Sequence, residues 1–326
     1  MRFGAFLPTF LLDELAADHG RRVREFARRA ETLGFESLWI TDHVVTAERF
    51  YRVGWLDALV TLSHVAAVTE RVRLGTSILI LPLRQPAVLA KEVATLQTLS
   101  DSRYIFGVGA GWFAPEFLAC GTRKEERGPR TDEVLDATLA LLTRADVTYH
   151  GRFYTLDGVT VEPHPAERPP VWVAGGSQLA HETSPERPRM HPNVLRRIAS
   201  ADGWIARPTC PPDLIASDLE LIRSARADAG AAAPFTIAHE NFVWIEETGT
   251  ADEIRSVQQD RFGRVLSDER PWEYIDAVYL PGTIDRIQEK VQARAAAGVE
   301  CLMLHTLSAD LDQLDLIAKH ILEPFG

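Results

Sequence analysis

The chain has 326 residues, 46% hydrophobic and 25% charged, with a formal charge of −11. That acidic balance excludes nucleic acid as a partner, because phosphate contacts need clustered Lys and Arg, and no apolar run approaches the ~18 residues of a membrane span. Cys120, Cys210 and Cys301 fit neither a zinc spacing nor a disulfide framework and read as reduced structural thiols.

Met1 leads straight into the strand-like RFGAFLP without a basic or apolar leader, so a soluble cytoplasmic protein is expected. Strand-like and helix-like patterns then alternate. Arg2–Leu7 is an apolar run, and Val23, Phe26, Ala27, Ala30 and Leu33 recur at helical spacing up to Gly34, a C-cap residue. Ser37–Ile40 is the second strand, Leu56–Val68 a helix, Val72–Leu81 the third strand and Pro86–Leu99 a helix. Tyr104–Val108 and the helix Asp132–Leu142 follow, then a hairpin pattern in TYHGRFYTLDGVTVEP. Strands at Val171–Ala174, Gly203–Ala206, Phe235–Ile245 and Glu300–His305 alternate with helices at Asn193–Ala199, Asp213–Ala229, Ala251–Val265, Ile284–Ala297 and Leu311–Ile321. Eight β/α units predict a closed (β/α)8 TIM barrel of the α/β class, one domain over 1–326, with an inserted β-hairpin and an insertion after strand 5. An open doubly wound sheet would want a glycine fingerprint after the first strand, and FLPTFLLDE has none.

In such a barrel the chemistry sits at the C-terminal strand ends. Those tips carry Phe10, Asp42 and His43, Ser77, the GVGAGW run from Gly107 to Trp112, Gly175-Gly176-Ser177, Arg207, His239 and His305. Asp42 either caps the next helix or belongs to a site. His43 is a surface imidazole or the leading acid/base, since imidazole titrates near working pH. GVGAG lacks the GxGxxG spacing of a dinucleotide loop; its glycines let backbone lie against a flat ring. AGGS offers free amides to an anion. Gly75-Thr76-Ser77 inside a leucine-rich strand suggests a bulge.

Together GFESLWITDHV, RVRLGTSILILPLRQPAVLAKEVATLQTLSDSRYIFGVGAGW, the EF and CG around Glu116 and Cys120, VWVAGGS and ADGW resemble the bacterial luciferase-like monooxygenase superfamily over nearly the whole chain. That superfamily includes FMN-dependent monooxygenases and coenzyme F-420-dependent oxidoreductases. The resemblance implies a cofactor ring against a third-strand bulge, often with a non-prolyl cis peptide, here Ser77–Ile78. It implies Asp42, Gly109 and Ala110 flanking the ring, and Gly175, Gly176 and Ser177 on the phosphate. GVGAGW, where many alkanesulfonate-type enzymes carry a WNxVT-like segment, tilts toward the deazaflavin side. Ala110, where some deazaflavin relatives carry an acid, tilts away from it. The arginines at 187, 189, 196 and 197 are the obvious charge for an acidic cofactor tail, and 177–193 reads as a lid or a variable loop.

The first expectation is a monooxygenase using reduced FMN and O2 on a small organic substrate, with a separate flavin reductase as partner. His43 is its catalytic residue, and Phe10, Trp112, Phe113 and Trp204 form its dry pocket. Arg207, His239 and His305 are substrate contacts, the last two being reserve acid/bases. The alternative is hydride transfer with coenzyme F-420 in the same pocket. A metal-dependent hydrolase would draw on Asp42, His43, His239 and His305, but no HxH pair supports it. No metal is expected, and a homodimer is expected by analogy.

Overall fold

The computed structural model describes residues 1–11, 18–47, 51, 53–180, 189–266 and 270–326. Eight parallel strands make one closed ring: β1 Arg2–Phe6, β2 Ser37–Ile40, β3 Arg73–Thr76, β4 Tyr104–Gly109, β5 Val171–Gly175, β6 Gly203–Ala206, β7 Thr236–Phe242 and β8 Cys301–His305. Each pairs with its neighbour in chain order. The ring closes with Arg2 opposite Cys301, while β4 meets β5 with Phe106 opposite Val171. This is the TIM barrel that the alternation predicts.

Helices fill the connections: α1 His19–Leu33, α2 Ala58–Ala66, α3 Pro86–Leu99, α4 Ala114–Ala119, α5 Arg127–Thr143, α6 Pro192–Ala199, α7 Pro212–Asp228, α8 Ala251–Val265, α9 Trp272–Val278, α10 Ile284–Ala296 and α11 Leu311–Ile317. Their ends carry ordinary stop and start chemistry. Gly34 closes α1 at φ 90, Asp57 caps α2 through the Val60 amide, and Thr250 with Glu253 forms a capping box on α8. The hairpin is present as Val147–His150 paired antiparallel with Thr155–Val159. No helix among the described residues is long and apolar enough to cross a membrane.

Strand parity divides the core into two layers. Leu38, Ile40, Leu74, Phe106, Val173, Ala206 and Leu302 face the helices. Phe6, Trp39, Ile105, Trp172, Ile205, Ala238, Cys301 and Met303 fill the barrel interior. Trp39 is one of two tryptophans in the interior group, and it fits because its strand neighbours carry nothing. A Cβ on Gly4 would lie 2.4 Å from its indole nitrogen, and one on Gly75 2.3 Å from its ring. The indole N–H donates to Ser37 Oγ at 2.8 Å, and the Trp172 ring lies 5.3 Å away.

The third strand differs from a continuous Val72–Leu81. It stops at Thr76, passes a cis Ser77–Ile78 peptide, and resumes as Leu79–Ile80 alongside β4. This is the interruption that Gly-Thr-Ser predicts. Two short helices, α4 and α9, have no counterpart in the periodicity, since each spans under two turns. A two-residue ladder, Phe10–Leu11 against Gly54–Trp55, is likewise below the reach of pattern. Half of the expected lid, 181–188, lies outside the described residues, as does Arg187.

Candidate active site

The β2 strand delivers Asp42 and His43 together, and the structure gives them opposite tasks. His43 Nδ1 lies 2.9 Å from Glu116 Oε1, which also accepts the Val44 amide at 2.8 Å. The Glu116 side chain is 0% exposed and that of His43 7%. Glu116 stands on α4, which the chain enters through the left-handed Gly111 at φ 68 and Pro115 in the first turn. With a carboxylate on Nδ1, the neutral imidazole carries its proton there and keeps the Nε2 lone pair for another partner. Tyr51, Trp55 and Trp112 surround the ring, with centroids 5.9, 6.2 and 6.1 Å away.

A second imidazole–carboxylate pair faces the same tryptophan from the far wall. His305, at the tip of β8, lies 6.5 Å from Trp55 and is sandwiched between Phe6 at 3.7 Å and Phe242 at 4.5 Å. Its Nε2 is 3.4 Å from Glu240 Oε1, an ion-pair distance without hydrogen-bond alignment. Burial holds the His305 pKa below the ordinary imidazole range, against the pull of Glu240. Glu240 Oε2 accepts the Ser77 hydroxyl at 2.7 Å, tying β7 to the cis step in β3.

Asp42 neither caps α2, a task Asp57 performs, nor presents an open carboxylate. Its Oδ1 accepts from Arg84 at 2.7 Å and its Oδ2 from the Ile80 amide at 2.9 Å. It therefore clamps the end of β3 just beyond Ser77 and Ile78. Burial raises its pKa, opposed by the guanidinium and the amide. Gly107 and Gly109 serve that same strand: a Cβ on Gly107 would meet the Thr76 carbonyl at 1.8 Å, and one on Gly109 the Ile78 side chain at 2.8 Å. Their bareness is required by β3 itself, before any ring is considered.

The AGGS loop adopts the backbone expected of it, with Gly175 at φ 148 and Gly176 at φ 120. Its serine, however, is already engaged. Asp218 of α7 accepts the Ser177 amide at 2.6 Å and its hydroxyl at 2.7 Å, with both residues buried. A carboxylate of this chain thus takes the two donors that the sequence offers to a phosphate at Ser177. Arg196 and Arg197 are bonded to Asp132. Beside them a recess at the ends of β4 and β5 is lined by Gly109, Ala110, Thr131, Ala174, Val194 and Arg197.

His239, expected as a substrate contact, lies away from the His43 pocket. It stands opposite Ala206 in the β6–β7 register and shares that residue's outward face, so it points into the helix layer. There it bonds the Arg207 carbonyl at 3.1 Å, and burial pushes its pKa well down. Trp204 also faces outward, donating to the Gly175 carbonyl. Arg207 is exposed at its tip and bonded to Gln178. Phe10 is buried edge-on against Trp55, and Trp112 stands 38% exposed at the lip. Among the described residues no three His, Cys, Asp or Glu side chains gather as for a metal ion. Glu116, Tyr51, Trp55 and Arg270 are the residues that strand-tip reading passes over; they stand on loops, a two-residue ladder and a short helix. Glu240 lies at a barrel tip directly after His239, where that reading gives it no role.

Thr9 Oγ1, Thr41 Oγ1 and Glu116 Oε2 are buried with no partner among the described residues. They place polar capacity around the mouth beside the cis step and the small-residue ends of β4 and β5, an arrangement that fits a planar polar cofactor.

A family model described as luciferase-like monooxygenase matches residues 1–187. The F420-dependent glucose-6-phosphate dehydrogenase of Intrasporangium calvum is 31% identical over 274 residues, 77% of this chain and 79% of that one. Monooxygenase RslO1 from Streptomyces bottropensis superposes with a TM-score of 0.83 at 23% identity, covering 100% of both chains. An F420-dependent secondary alcohol dehydrogenase, solved with an F420–acetone adduct, gives a TM-score of 0.80 at 19% identity over 98% of both. These last two likenesses are of fold.

Proposed function

The chain belongs to the luciferase-like monooxygenase family of oxidoreductases, and from that premise we propose that it transfers a hydride between a small hydroxyl- or carbonyl-bearing substrate and coenzyme F420. The carrying observation is the His43–Glu116 pair at 2.9 Å, walled by aromatic rings. When bound, the deazaflavin supplies the hydride acceptor or donor. Ser77–Ile78 and the bare end of β4, at Gly109 and Ala110, would hold its ring. His43 Nε2 takes the substrate hydroxyl proton, and Glu116 fixes the tautomer and the ring orientation that make this transfer efficient. The 31% identical F420-dependent relative supports this reading.

The second reading, a monooxygenase working with reduced FMN and a separate flavin reductase, is favoured by the aromatic wall of Tyr51, Trp55 and Trp112, which excludes water. The sequence alone puts it first; the carboxylate behind His43 moves hydride transfer ahead, since a positioned base is what alcohol oxidation needs. Anaerobic titration with F420 and, separately, with reduced FMN separates the two. Micromolar binding of F420 with no saturable binding of reduced FMN is expected, and the reverse order overturns the proposal. A homodimer of one-domain chains stands as part of the proposal by analogy. Sedimentation at the 36.3 kDa monomer mass would remove it.

A further inference from the structure

The far wall of the pocket carries a charge that the chemistry at His43 does not use. Glu240 projects inward from β7 beside the buried His305, and its side chain is 12% exposed, so it is reachable from the mouth. Its oxygens already receive the Ser77 hydroxyl and lie against His305, but a carboxylate has about four acceptor positions. Burial keeps His305 from charging near neutral pH, so it does not cancel Glu240. The cations nearby are committed elsewhere. Arg84 is bonded to Asp42, and Arg270 donates to the Tyr279 hydroxyl while covering the Tyr51 ring at 5.4 Å. Glu116 adds a second carboxylate behind His43. Val44, next to His43, and Trp112 present apolar surface to solvent.

Resting on the hydride-transfer reading above, we propose that Glu240 determines specificity. It accepts a hydrogen bond from a second hydroxyl or an ammonium group on the substrate, remote from the reacting carbon, and it rejects anionic substrates. Two points then fix the substrate across Trp55: its reacting hydroxyl at His43 and its donor at Glu240. A sugar phosphate, the substrate class in the name of the Intrasporangium relative, would bring its charge against two carboxylates. Like charges brought together out of bulk water cost affinity rather than adding to it.

A matched ring series tests this: cyclohexanol, 1,4-cyclohexanediol, 4-aminocyclohexanol and 4-hydroxycyclohexanecarboxylate, together with glucose 6-phosphate. Each is followed by F420 reduction and, independently, by quenching of protein tryptophan fluorescence. The diol and the amino alcohol are expected to exceed cyclohexanol in kcat/KM by about 10-fold or more, the size of one hydrogen bond to a charged group, with the carboxylate and the phosphate below it. In Glu240→Gln the advantage of 4-aminocyclohexanol over cyclohexanol should collapse. An unchanged ratio in that variant, or a preference for either anion, overturns the proposal and points to Arg207 at the rim instead. If no alcohol reduces F420, the hydride-transfer reading fails, and the quenching series still decides Glu240: weaker quenching by 4-aminocyclohexanol in Glu240→Gln than in wild type upholds it, and equal quenching removes it.

Discussion

Two imidazole–carboxylate pairs face one tryptophan, and they are built in opposite ways. His43 hangs from the loop after β2, bonded at one nitrogen to a carboxylate with no exposed surface, its other nitrogen directed away from that partner. His305 is pressed between two phenylalanine rings, 3.4 Å from a carboxylate that bonds elsewhere. The same two residue types thus give an imidazole bonded to its carboxylate on one wall and an imidazole clamped between rings on the other. Packing, rather than residue identity, assigns the role.

The widest separation between the two walls should appear in turnover. His43→Ala is expected to lower kcat by about 10²–10⁴-fold with F420 binding nearly intact, and His43→Gln to fare little better, because an amide cannot exchange a proton near neutral pH. His305→Phe, which keeps the stack, should stay within about 10-fold of wild type. Single-turnover rates on the three variants decide it, and equal losses at the two histidines would erase the distinction. Glu116→Gln sharpens the same contrast on a smaller scale. It should cost about 10- to 100-fold in kcat with little change in KM, since the carboxylate orients and stabilises the imidazole and does not grip the substrate. A rise in KM at constant kcat would instead make Glu116 a binding group.

The clamp beneath the first wall should be read in stability. Asp42→Asn leaves the Arg84 guanidinium without its acid and is expected to cost about 3 kcal/mol in denaturant unfolding. A neutral result would mean that Arg84 simply turns to Asp57, 3.9 Å from it. The smallest effect is the acid dependence of the second wall. Burial depresses the His305 pKa, so below the ordinary histidine value near ~6.5 the unfolded chain binds the proton first, and stability falls as pH falls. Thermal unfolding between pH 7 and 5 should therefore be flatter in His305→Phe than in wild type. His239, depressed for the same reason, contributes in the same direction and persists in that variant.

Barrel topology was legible because each strand is a short apolar run bounded by a periodic helix, but strand parity was not, since Trp39 turns inward and Trp204 outward from equally apolar runs. The break at Ser77 was legible as glycine and serine interrupting a leucine-rich strand, and the structure has its cis step there, although Gly75 also makes room for Trp39. His43 was legible as a strand-tip imidazole. Its partner was not, since Glu116 stands on a six-residue helix 73 positions away, and one sequence carries no signal for that meeting. Ser177 looked like a free donor because nothing in AGGS foretells that Asp218, 41 residues on, closes over it. His239 turns outward for a simpler reason: a one-residue step along a strand changes the face, and Glu240, not its neighbour, looks inward.

The glycines that flank Trp39 have a last consequence. With no side chain at Gly4 or Gly75, the indole lies across the barrel between its neighbours, and Trp172 leans on it from the opposite side. Both rings are sealed from solvent, together with the rest of the interior layer. Among the described residues the barrel axis is therefore plugged at its centre by the two indoles, which leaves the strand-tip end, where Trp112 stands partly exposed, as the end turned to a ligand.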